Sequence, residues 1–102
     1  MENFSKNSEI QIELSDEVAQ GTYSNLAIIS HSLSEFVIDF VRIVPGVVKA
    51  KVKSRIILTP EHAKRLLMAL NDNIDKFEQQ NGQIRVRNDA GFPPPVGGIG
   101  LA

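Results

Sequence analysis

Lys49, Lys51, Lys53 and Arg55 occupy every second position of one segment, with Val48, Ala50, Val52 and Ser54 between them. Successive side chains of a β-strand point to opposite faces, so this spacing predicts four cations along one face of a strand. Like charges held in a row repel, and such a face calls for water, acidic neighbours or an anionic partner. Three uses fit it. The cations can blunt a strand edge against unwanted pairing, recognise an acidic protein or a nucleic-acid backbone, or bridge to Asp and Glu of another subunit. Reading bases would want interleaved aromatics or arginines, and Arg55 stands alone. Nucleic-acid binding would therefore be weak, nonspecific and salt-sensitive.

Catalytic chemistry has few carriers. His31 falls in a predicted turn and His62 in the first turn of a predicted helix, where Glu61 or Asp39 could pair with it as an acid–base unit; a surface histidine at a helix start explains it as well. There is no cysteine, hence no thiolate nucleophile and no sulfur-ligated metal. No His or carboxylate spacing matches a metal site. Gly97, Gly98 and Gly100 stand near the chain end with no helix after them, which removes them as a phosphate-binding turn. Thr59 with nearby Arg55 could hold an anion at a helix N-terminus, although capping accounts for the same residues. The expectation is a protein that is not an enzyme and uses no metal and no cofactor.

Composition bounds the rest. A chain of 102 residues is one domain, long enough to bury roughly 60–65% of its unfolded-state surface. The net charge of −1 argues against bulk electrostatic binding to nucleic acid or anionic membrane. No apolar run approaches the length of about 18 residues that spans a bilayer, and the start of the chain is polar. These features lead us to expect a cytoplasmic protein without membrane contact.

The elements that must position the cations follow from periodicity. Ile10, Ile12 and Leu14 alternate with Gln11 and Glu13 and predict a first strand; Ser15 to Gly21 is a polar connection. A β-rich run from Thr22 to Ser30 and a third strand from Glu35 to Val44 flank a turn at His31 to Ser34. Pro45-Gly46 turns the chain into a fourth strand, Val47 to Leu58, which carries the cations. Thr59-Pro60-Glu61 opens a helix: Thr59 as cap, Pro60 where its missing donor costs nothing, Glu61 against the positive dipole end. Ala63, Leu66, Leu67, Leu70, Ile74 and Phe77 then form one apolar stripe, and Gly82 closes the helix after about Gln80.

The predicted fold is α+β, a four-stranded antiparallel β-meander followed by one long C-terminal helix packed on one sheet face. Residues 1–8 are read as a flexible N-terminus, 9–82 as the domain, and 83–102 as a short extension with a disordered Pro/Gly-rich tail. Loop parity around Pro45-Gly46 decides which residues share the cations' face. An odd connection puts Phe36, Ile38 and Phe40 with the small residues of the last strand and brings Asp39 beside the cations; we favour it because it makes a coherent core. Val37, Val41 and Ile43 then lie beside Lys49, Lys51, Lys53 and Arg55 as the candidate binding surface. A single helix covers one face only, so the other is expected to mediate homo-oligomerisation as a dimer or larger.

The blocks Tyr23-Ser24-Asn25-Leu26, Glu35-Phe36-Val37-Ile38-Asp39-Phe40 and Ser54-Arg55-Ile56-Ile57-Leu58-Thr59-Pro60-Glu61-His62-Ala63 resemble a bacterial family of short proteins classed as a domain of unknown function. The resemblance covers residues 9–80 and implies no activity, cofactor or catalytic residue. It implies an expectation that members are encoded beside RNA polymerase subunit genes. The order of strands and helix is also similar to that of the export chaperone SecB, in topology alone. The function expected is a non-enzymatic protein-interaction domain with a protein partner. The alternative is a transcription-linked or nucleic-acid-associated accessory factor using the basic face from Lys49 to Arg55.

Overall fold

The computed structural model describes residues 9–87. Three strands, β1 (Leu26–His31), β2 (Phe36–Arg42) and β3 (Lys51–Leu58), form an antiparallel sheet with β2 in the centre, and the helix α2 (Pro60–Asn81) follows. The architecture is α+β as expected, with three strands rather than four. Ile10, Ile12 and Leu14 lie in no strand and are all exposed. Their alternation says how a strand would face but not which edge it would join, and the described sheet does not recruit them. A one-turn helix, α1 (Asp16–Ala19), interrupts the polar connection, with the Ser15 hydroxyl accepting the Val18 N–H at 3.2 Å. The expected N-terminal segment 1–8 and the tail from residue 88 lie outside the described residues.

Turn chemistry sets the strand ends. The Ser32 N–H donates to the Glu35 carbonyl at 2.9 Å between β1 and β2. After β2, the Val47 N–H donates to the Val44 carbonyl at 3.0 Å, with Pro45 second in the turn and Gly46 at φ +83°. A turn that needs positive φ at its third residue takes glycine there.

Cross-strand pairing puts Phe36, Ile38 and Phe40 opposite Leu58, Ile56 and Ser54, and Asp39 opposite Arg55. That is the parity of an odd connection. It does not persist to the end of the hairpin. Phe40 pairs with Ser54 but Val41 pairs with Val52, so Lys53 is an extra residue in β3. This β-bulge reverses the parity beyond it and sets Lys51 directly opposite Arg42.

The core is small. Val41, at 3% exposure, is the one buried residue among those described. In β2 the run from Phe36 to Val41 is apolar except for Asp39, a pattern that wants cover on both faces. The helix does not supply it. α2 meets the sheet chiefly along β3, Ala63 is half-buried near its start, and Leu67, Leu70 and Phe77 remain 59%, 55% and 51% exposed. The expected packing of the helix across one sheet face is therefore corrected to a helix joined to β3 with its stripe open. One extended residue, Thr59 (ψ 155°), links β3 to α2, and Pro60 fixes the first helical φ.

The helix itself is fully specified by its own residues. Thr59 Oγ1 accepts the His62 N–H at 3.1 Å, Pro60 is the first helical residue, and Gly82 closes the last turn at φ +91°. Glu61 pairs with Arg65, and Asp72 with Lys76, one turn apart.

Candidate functional site

The four cations read as one row are divided by the bulge at Lys53. Arg55 faces Asp39 and makes a two-pronged contact, its Nε at 2.7 Å from one carboxylate oxygen and a terminal nitrogen at 2.8 Å from the other. Two parallel charge-assisted bonds are the strongest form of this pairing. The bonds from Arg55, with its positive charge, hold the Asp39 carboxyl below its ordinary value against the opposing effect of desolvation. The carboxylate's hydrogen bonds and charge likewise raise the Arg55 guanidinium. Arg55 is thus engaged within the chain, and its partner is the acid expected on that face.

Lys51 and Lys53 remain in β3, while Lys49 lies in the connection before it. Arg42, which sequence reasoning passed over, joins them. It ends β2 opposite Lys51, and its guanidinium carbon sits 5.6 Å from the centre of the Tyr23 ring, a cation–π distance. Arg42, Lys49, Lys51 and Lys53, with Val44 and Val47, line a cleft of about 190 Å³ at the hairpin end. None of these cations forms an ion pair with a described residue. The bulge that brought Arg42 into this group carries no residue signature of its own.

The apolar members of the candidate surface fare differently. Val41 is buried, and Val37 and Ile43 are half-buried. Ile43 lies past the end of β2, where Asn25 clamps its backbone: the Ile43 N–H donates to Asn25 Oδ1 at 2.8 Å and Asn25 Nδ2 donates to the Ile43 carbonyl at 3.0 Å. The Ser24 hydroxyl and the Asn25 N–H both donate to the Val41 carbonyl at 3.0 Å. This is structural work, and it leaves little of the strip open. The helix stripe is open, and so are Ile57 and Val52 of β3 and Val47 and Val48 of the connection before it.

The histidines are apart. His31 stacks on Phe36 across the β1–β2 pair with ring centres 5.2 Å apart, and His62 is exposed in the first turn of α2. Thr59 is occupied by capping and Arg55 by Asp39, so the helix start and Arg55 do not form an anion site together. Among the described residues no group of three or more His, Cys, Asp or Glu is placed to hold a metal ion, and no helix is long and apolar enough to cross a membrane.

Against this geometry, the chain matches a family of proteins of unknown function (DUF3467) over residues 1–86. The chain belongs to that family. No curated protein and no solved structure matches it. The family brings no assigned activity, and the topological likeness to SecB was drawn for four strands where the described sheet has three.

Proposed function

We propose that this chain is a small non-enzymatic protein-interaction domain that assembles with copies of itself and holds a protein partner through its helix flank or an open sheet face. The observation that carries this is the missing core. A single buried valine cannot offset the conformational entropy of ordering a domain of this length. The helix stripe from Leu66 to Phe77, about half open, exposes on the order of 600 Å², and each partner in a specific interface contributes roughly 800 Å². Stripe and sheet are both apolar and do not cover each other within one chain, so a second copy offers each the surface it lacks.

The alternative, an accessory factor tracking nucleic acid along Lys49 to Arg55, has less support. A continuous track needs its cations on one face and unengaged; Arg55 is bound to Asp39, and the bulge separates it from Lys51.

Multi-angle light scattering of the full chain tests the proposal. We expect a mass of two chains or more, with a thermal midpoint that rises with protein concentration as mass action requires. A monomer that unfolds cooperatively at a concentration-independent temperature would overturn it.

A further inference from the structure

We infer that the cleft at the β2–β3 hairpin end is a binding site for a compact phosphate chain, held by Arg42, Lys49, Lys51 and Lys53. The inference stands apart from self-assembly, since the cleft lies within one chain.

Direct opposition of Arg42 and Lys51 is the starting point. Facing cross-strand residues of like charge repel, and no described carboxylate relieves them. The one acid on β2, Asp39, is turned to the other face by the strand alternation and is saturated by Arg55. A bulge then adds Lys53 and the connection adds Lys49, so four cations border one concavity without a counter-charge among the described residues. An arrangement that accumulates repulsion in this way is relieved by an anion seated among the four.

The chemistry of the walls narrows the anion. Arg42 offers a planar fork matched to phosphate oxygens, and its position over Tyr23 reduces the orientations it must give up on binding. The lysines are mobile point charges suited to the remaining oxygens. Val44 and Val47 add apolar contact at the rim, and with exposures of 38% and 55% they leave the cleft open to water. The cleft, of about 190 Å³ and partly open, carries its four cations around one small concavity, which suits a short, densely charged phosphate chain. A net charge of −1 gives the protein no bulk attraction for a long polyanion, which favours a compact anion here. The chain could be free polyphosphate or the tail of a nucleotide; both present the same linked phosphates.

Calorimetric titration of the full-length protein with tripolyphosphate, and separately with adenosine triphosphate, tests the site. At low ionic strength we expect saturable binding of one ligand per chain. Equal affinities mean that the phosphates alone are read; tighter binding of the nucleotide means that the site is its phosphate subsite. The double variant Arg42→Gln/Lys51→Gln should lose roughly tenfold or more in affinity, about one charge-assisted hydrogen bond's worth. Arg55→Gln and the helix variant Lys64→Gln should stay within about twofold, since neither residue borders the cleft. Removing the opposed charges should also raise the melting temperature of the ligand-free double variant, so loss of binding cannot be loss of fold. The inference fails if tripolyphosphate does not bind, if Lys64→Gln weakens it as much as the double variant, or if a single-stranded oligonucleotide binds at least tenfold more tightly than tripolyphosphate.

Discussion

The helix α2 and the β2–β3 hairpin are specified in opposite ways. Each end of α2 is fixed by residues within one turn of it, Thr59 and Pro60 at the start and Gly82 at the close, yet among the described residues nothing covers its apolar stripe. The hairpin depends on residues far apart in sequence, with Asp39 finding Arg55 and Asn25 clamping Ile43, and β2 and β3 pair along their length except at the Lys53 bulge. The helix is thus locally determined and globally unfinished. The hairpin is closed within the chain but ends in unrelieved positive charge. The two proposals match this division, an apolar partner for the helix and an anionic ligand for the hairpin.

The largest effect should come from the helix. Leu70→Gln keeps helix propensity almost unchanged, since Leu and Gln rank together. On an isolated chain the residue is 55% exposed, and a surface change of this kind costs at most about 0.5 kcal/mol. At the centre of a self-assembly interface it should cost about 2 kcal/mol or more per chain and shift the mass toward monomer. Urea unfolding and light scattering on the same samples separate the cases. A small, concentration-independent change would mean that α2 is as finished as the hairpin and would erase the contrast.

Asn25→Ala attacks the hairpin side. It removes both bonds to the Ile43 backbone and leaves a part-buried N–H and C=O unpaired, a loss of about 1.5 kcal/mol. It should also loosen the connection from Ile43 to Ala50 and with it the bulge register. Amide exchange should rise at Ile43 and Val52 and remain unchanged within α2. Protection lost equally in the helix would show that the two regions are not separate.

How far each region was legible in the sequence follows the same division. Thr59-Pro60-Glu61, the apolar spacing and Gly82 announce the helix because every cause lies within a few residues. Pro45-Gly46 announces the turn for the same reason. Parity in the body of the sheet was readable from Asp39, the one acid in an apolar run. The bulge at Lys53 was not, because it is set where the Asn25-anchored connection rejoins β3, and Asn25 is remote in sequence. Arg42 was missed as a cleft residue on that account, and Arg55 was counted with cations it does not join. Alternation at Ile10 to Leu14 suggested a strand whose edge partner no local pattern could name. The helix stripe was visible, but its lack of cover was not, because spacing within one element says nothing about the angle between elements.

Thr59→Ala should have a smaller effect, about 1 kcal/mol, through loss of the cap on His62. Because the cause is local, the loss should be the same at every protein concentration, unlike that of Leu70→Gln. Circular dichroism should show fraying limited to the first turn. A loss that grows on dilution would mean that the helix start also belongs to the interface and would sharpen the contrast by extending the unfinished region to Thr59.

The smallest effect is expected from Asp39→Asn, and its diagnostic is pH. In the folded chain Arg55 holds the Asp39 carboxyl below its ordinary value of 3.8, chiefly through the paired hydrogen bonds. A carboxylate depressed in this way contributes stability that is complete above its unfolded-state value and fades as pH falls through the lower folded value. Wild-type stability should therefore decline more steeply than that of Asp39→Asn once pH drops below about 4, and the two curves should run parallel from there up to neutral pH. Arg55 is largely exposed, with 63% of its side chain accessible, so solvent screening keeps the contribution modest and high salt should shrink it. Arg55→Gln should behave differently: it leaves the Asp39 carboxyl, with 15% of its side chain accessible, without its cation, so desolvation now raises its folded value and this variant should gain stability relative to Asp39→Asn as pH falls below about 4. If Asp39→Asn and wild type lose stability in parallel down to the lowest pH, the pair contributes nothing to closure of the hairpin. Arg55 would then be an unengaged cation like Lys51, and the division of the basic residues into a bound one and a cleft group would lose its energetic meaning.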